Sequence, residues 1–166
     1  MRAWSAGSAA VLVAASVVAV LRSSLLVITV VGLSMAPGFV PGDRVLVRRR
    51  ARGALEVGRV VLLPEPGAPG QTGGRGRADA RGTAALTERS WVMKRIAAMP
   101  GDAVPPAVRA AVGGTSVVPP GMLVVLGDNI AQSADSRLWG FMRADDVLGV
   151  VVRSLPGSHP DGLAAA

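Results

Sequence analysis

Trp91-Val-Met-Lys94-Arg95-Ile-Ala-Ala-Met-Pro100-Gly-Asp102 decides how the rest of the chain reads. Its first seven residues predict a strand over Trp91 to Ala97, closed by a Pro-Gly-Asp turn. With a period of two, Val92, Lys94 and Ile96 share one face, while Met93 and Arg95 share the other. Outward from this strand the same grammar recurs. Leu25 to Val31 is β-branched and stops at Gly32. Short strands are expected around Val45 to Val47, at Val60 to Leu63, at Leu123 to Leu126 and at Val147 to Val152, with a turn at Pro41-Gly42-Asp43. Residues 64–87 lack periodicity, are dense in Gly, Pro and Arg, and read as a mobile insertion. Residues 157–166 read as a flexible tail. The expectation is a small, mainly β domain over residues 25–156, with no internal repeat.

Composition agrees. Half of the 166 residues are apolar and 17% are charged, which a disordered chain would not show. Twenty-one glycines and 12 prolines leave little room for long soluble helices. There is no Cys, so disulfides, thiol nucleophiles and Cys-based metal sites are excluded. The one His, His159, sits in the Gly/Pro-flanked tail, so a Ser-His-Asp triad would depend on it and a His-rich metal site is excluded. The net charge is +7, and Lys94 is the only lysine among 18 basic residues. No stacking aromatics or recognition helix accompany this charge, and nucleic acid is not expected as a partner.

Residues Ala3 to Leu21 carry no charge. As a helix they would span roughly 28 Å, close to a hydrocarbon core of about 30 Å. Trp4 lies near one end, and Arg2 and Arg22 flank the run. Residues 1–24 therefore read as one transmembrane anchor rather than a cleaved leader, with charge slightly favouring the N-terminus inside. The run Arg48 to Arg52 reads as a solvated loop or a surface facing anionic lipid.

Three stretches can carry chemistry. Gly32-Leu-Ser34-Met35-Ala-Pro37 places a serine on a Gly/Pro-bounded turn after a strand, where hydroxyl and backbone N–H can both be presented to a carbonyl. Lys94 lies between two β-branched apolar residues. Burial lowers an amine's affinity for its proton, and a lysine can become a base where an arginine cannot. Gly127-Asp128-Asn-Ile-Ala-Gln-Ser133-Ala-Asp135-Ser136-Arg137-Leu-Trp139-Gly140 is a run of small polar groups after a strand. Asp135 and Arg137 are close enough to pair there, Asp128 is a second candidate partner for Arg137, and Ser133 is placed to bond an amine. Each stretch alone also fits an ordinary turn, a snorkelling lysine or a hydrogen-bonded loop.

Together, in order, the three stretches resemble the type I signal peptidases, membrane-bound Ser/Lys proteases that remove secretory signal peptides. The resemblance runs through the anchor, Ser-Met-x-Pro, Gly-Asp, Lys-Arg-(x)4-Pro-Gly-Asp and Gly-Asp-Asn-(x)3-Ser-x-Asp-Ser-Arg-x-Trp-Gly. Lysine rather than histidine as base points to the bacterial and organellar branch. The resemblance implies Ser34 as nucleophile, Lys94 as general base and the Ser34 backbone N–H as an oxyanion donor. It implies Ser133 as the serine that orients the amine, and Asp128, Asp135 and Arg137 as residues that hold the site loops together. Met35 is implied as packing. The resemblance implies no metal or cofactor. It also implies membrane lipid as surroundings, a cell-membrane location with the catalytic domain on the extracytoplasmic side, and preproteins with small residues before the cut as substrates.

Three departures stand out. Gly38 replaces a threonine of the pattern, Gly32 stands where some members have a serine as second oxyanion donor, and Ile130 and Ala131 replace polar residues. The stretch between Gly101 and Gly127 is too short for the large extra β-domain of some members. Alternative readings are a dedicated leader or pilin processing peptidase and an inactive membrane-tethered scaffold. A self-cleaving repressor-type peptidase lacks support, for want of a DNA-binding segment.

Overall fold

The computed structural model describes residues 24–49, 52–67 and 90–155. They form one mainly β domain. Seven strands follow in chain order: β1 (Leu25–Thr29), β2 (Arg44–Arg49), β3 (Val60–Pro64), β4 (Trp91–Ala98), β5 (Met122–Leu126), β6 (Met142–Arg143) and β7 (Gly149–Ser154). They make a single sheet in the order β1-β2-β7-β3-β4-β5-β6, every pairing antiparallel. β1 and β4 are separated in that order by three strands, yet they line one cavity, so the sheet is curled.

Burial explains which strands sit centrally. β2 alternates, with Val45 and Val47 fully buried and Arg44 and Arg48 exposed. β3 is buried on both faces, which is why Val60 to Leu63 is continuously apolar. Val60 and Leu62 join one core cluster with Val45, Val47 and Met35. Val61 and Leu63 join a second with Ile96, Leu123 and Val125. A third, around Val104, Val108 and Val118, closes the far end beneath β5.

The sequence reading needs several corrections. The mainly β domain also holds short helices that the sequence reading did not place. Pro106–Val112 forms a 3-10 helix, and Ser136–Trp139 forms a one-turn helix, α1. Arg48 and Arg49, read as part of a loop, belong to β2, where they pair with Val150 and Gly149. Pro64, assigned to the insertion, pairs with Trp91, and the N–H of Glu65 donates to the Ser90 carbonyl, so β3 runs into the expected insertion. A backbone ladder can hold a proline at the end of a strand. The last strand is shifted to Gly149–Ser154. The expected transmembrane helix at 3–21, the insertion from residue 68 on and the tail lie outside the described residues. Among the described residues no helix is long and apolar enough to cross a membrane.

Candidate active site

β1 ends at Thr29, and Gly32 takes a φ of 101°, a conformation that suits a residue without Cβ. The chain then turns through Ser34, which is half-buried, while Met35 is inserted into the first core cluster. Backbone bonds from Ala36 to Leu33 and from Phe39 to Met35 hold this turn. Ser34 borders a cavity of about 260 Å3 lined chiefly by apolar residues of β1 and by Trp91, Val92 and Met93 of β4.

Lys94 projects from β4 opposite Val61 of β3, on the face expected from the alternation. Its residue exposure is 2%, a value rare for an unpaired lysine. Val61 and Ile96 on that face are buried, and the amine lies 5.9 Å from the centroid of the Trp139 ring. Among the described residues it makes no ion pair. Desolvation dominates and pulls the Lys94 pKa below its ordinary value. Asp135 and Glu65 act in the opposite direction, and Arg137 adds to the lowering.

The loop after β5 connects these two elements. Arg95 pairs with Leu126, so Gly127, one residue on, lies at the level of Lys94. A Cβ on Gly127 would overlap the Ser133 hydroxyl and stand 2.6 Å from the Ser34 carbonyl oxygen. Only glycine lets the Ser34 turn and Ser133 approach so closely. The next residue but one seals the contact, for the Asn129 N–H donates to the Ser34 carbonyl at 3.0 Å.

Asp135 organises the loop. Its carboxylate is fully buried and accepts from the Gly127 N–H at 2.8 Å and the Ser133 hydroxyl at 2.8 Å. It also accepts from Arg137 Nη2 at 2.6 Å, Arg137 Nε at 2.9 Å and the Arg137 N–H at 3.1 Å, the last capping α1. Burial alone would raise this carboxyl's pKa. The hydrogen bonds from Arg137, Gly127 and Ser133 together outweigh it, and the net shift is downward. Because Ser133 spends its proton on Asp135, its oxygen lone pairs are left to accept.

The expected Asp135–Arg137 pair is therefore present, but Asp128 does not engage Arg137. It forms a two-pronged pair with Arg95, at 2.8 and 2.6 Å, while Arg95 Nη1 reaches the Gly58 carbonyl at 2.8 Å. The reason is the strand register, which sets Arg95 beside the end of β5. Arg95, Gly127, Asn129 and Ser136 had no assigned part in the sequence reading. Ser136 is fully buried and its Oγ accepts the Val125 N–H. All four fall inside the two motifs quoted above, but only the fold shows what they touch. Among the described residues no group of His, Cys, Asp or Glu side chains could hold a metal ion.

The family model for signal peptidase, peptidase S26, matches residues 3–110 and 106–155. The chain belongs to the signal peptidase family. Preproteins bearing signal peptides are the substrates on which that family acts. No curated protein matches the chain. A crystal structure of a signal peptidase I from Enterococcus faecalis is similar at 20% identity and a TM-score of 0.36, covering 58% of this chain and 95% of that one.

Proposed function

We propose that this signal peptidase is a membrane-anchored serine endopeptidase working through Ser34 and Lys94. The observation that carries the reading is Lys94: a buried amine with a lowered pKa, at the level of the glycine against which the Ser34 turn packs. A neutral amine in an apolar strand face is suited to take a hydroxyl proton. Ser34 attacks the peptide carbonyl as Lys94 takes its proton; the C–N bond then breaks and the product amine leaves carrying that proton. Water, activated by the Lys94 amine, then releases the acyl group from Ser34. The Ser34 N–H is the oxyanion donor at hand. Ser133, fixed by Asp135, keeps an acceptor available to the amine.

The uncharged apolar run at 3–21 supports an anchor that keeps this chemistry at a membrane surface, on the extracytoplasmic side. The apolar cavity beside Ser34 suits the small side chains before the cut in an exported preprotein. Cleavage of a preprotein with an Ala-x-Ala site by the detergent-solubilised chain tests the reading. Parent activity with Ser34→Ala and Lys94→Arg both inert is the expected result. Activity retained by either variant would overturn the dyad, since arginine keeps the charge but cannot be the base.

A further inference from the structure

β4 lines two hollows, and Lys94 divides them. Trp91, Val92 and Met93 face the cavity bordered by Ser34. Arg95, Ile96 and Ala97 line a second groove of about 340 Å3, whose other wall includes Leu126, Gly127 and Ile130. Gly127 is also the residue pressed against the Ser34 carbonyl. The groove thus starts where the nucleophile turn meets the loop, on the other side of Lys94 from the first cavity. A peptide cut at Ser34 must extend in both directions from the reacting carbonyl. Its acyl side has the first cavity, and its leaving side, which takes its proton from Lys94, has this groove.

The groove's charged walls are already occupied. Arg95 is spent on Asp128 and the Gly58 carbonyl, and Arg137 grips Asp135 through Nε and Nη2. What it offers a ligand is apolar: Leu126, Ala97 and Ile130, the last 75% exposed. Ile130 thereby extends the apolar wall formed by Leu126 and Ala97 out to the lip of the groove.

We propose that this groove binds the residues immediately after the scissile bond and that Ile130 selects an apolar side chain there. The inference rests on Ser34 and Lys94 acting as nucleophile and base. To test it, a single leucine is walked through the first three positions after the cut of one preprotein, against serine at the others. The sequence before the cut stays fixed. At one position leucine is expected to raise kcat/KM about tenfold, and Ile130→Ser to flatten that preference. The ranking of substrates that differ only before the cut stays as in the parent. A flat profile in the parent, or a preference that survives Ile130→Ser, overturns the proposal.

A second measurement needs no turnover. Ser34→Ala is mixed with the same preprotein carrying a photoreactive leucine after the cut site. Crosslinks to residues 95–97 or 126–130 are expected, and crosslinks elsewhere or none would overturn the groove assignment. Cleavage undiminished in Ser34→Ala would bring down the nucleophile reading. Ser34-dependent cleavage indifferent to residues after the cut would bring down the groove alone.

Discussion

The Ser34 carbonyl accepts the Asn129 N–H at 3.0 Å, so the Ser34 turn and the loop after β5 are fastened to each other through backbone atoms. Backbone contact is indifferent to side chains, but it demands that nothing stand in the way. Gly127 meets that demand beside the same carbonyl.

Gly127→Ala should therefore disable the site. The added methyl must displace Ser133 or the Ser34 turn, at a cost of about 1–3 kcal/mol. A large loss of preprotein cleavage, with a thermal transition that is lowered but still cooperative, is the expected outcome. Near-parental activity would mean that the loop and the turn are not mutually fixed.

Asp135→Asn removes the charge from a buried carboxylate with five donors and leaves Arg137 without its counterion. A loss of about 3 kcal/mol at neutral pH is expected. The sign of its pH dependence follows from the lowered pKa of Asp135. The unfolded carboxyl takes its proton first as pH falls. The carboxylate's contribution is therefore complete above the ordinary carboxyl pKa and lost as pH drops through the lower, folded value. Denaturant titrations of parent and variant should converge in acid and separate towards neutrality. A gap independent of pH would contradict the ionic role of Asp135.

Lys94 gives a dependence of the same sign from a different cause, the burial of its amine. Its folded pKa is lowered, so the folded state binds fewer protons than the unfolded one between the two values. Stability should rise with pH across that window, and the penalty for burying the charged amine is full below it. Cleavage should rise with pH along a limb set by the same amine. Val61→Thr puts a hydroxyl opposite Lys94 in the strand register, relieves desolvation and should move the limb to higher pH. An unmoved limb would show that another group sets it.

Gly38 stands where the family pattern has threonine, and the structure has room for a side chain there. A Cβ would meet Asp128 Oδ2 and the Met35 carbonyl at 3.6 Å each, ordinary contact distances. Its backbone is not in the left-handed region. Gly38→Thr should raise stability by about 0.5–1 kcal/mol by restricting the unfolded chain. A lowered midpoint in chemical denaturation would mean that the turn needs the missing Cβ.

Sequence carried the strands well, because alternation and β-branching are local properties. The two-faced strand β4 could be read from Val92, Lys94 and Ile96 before any coordinates. The 3-10 helix at Pro106–Val112 was not legible, since its stability comes from Val108 packing in the third core cluster rather than from any periodic pattern. The candidate site was legible as residue types in order, through Ser34, Lys94, Ser133 and Asp135. Partners were less so. Asp128 turned to Arg95 because of strand register, a long-range property that nearness in sequence to Arg137 could not reveal.

The most direct test of the central claim uses the absence of cysteine from the chain. Lys94→Cys can be alkylated at that single thiol, in denaturant before refolding, to restore an amine one sulfur removed from lysine and less basic than it. The account predicts that Lys94→Cys is inert and that aminoethylation returns preprotein cleavage with its rising limb at lower pH than the parent's. Full activity of unmodified Lys94→Cys, or rescue with the limb unmoved, would contradict Lys94 as the base.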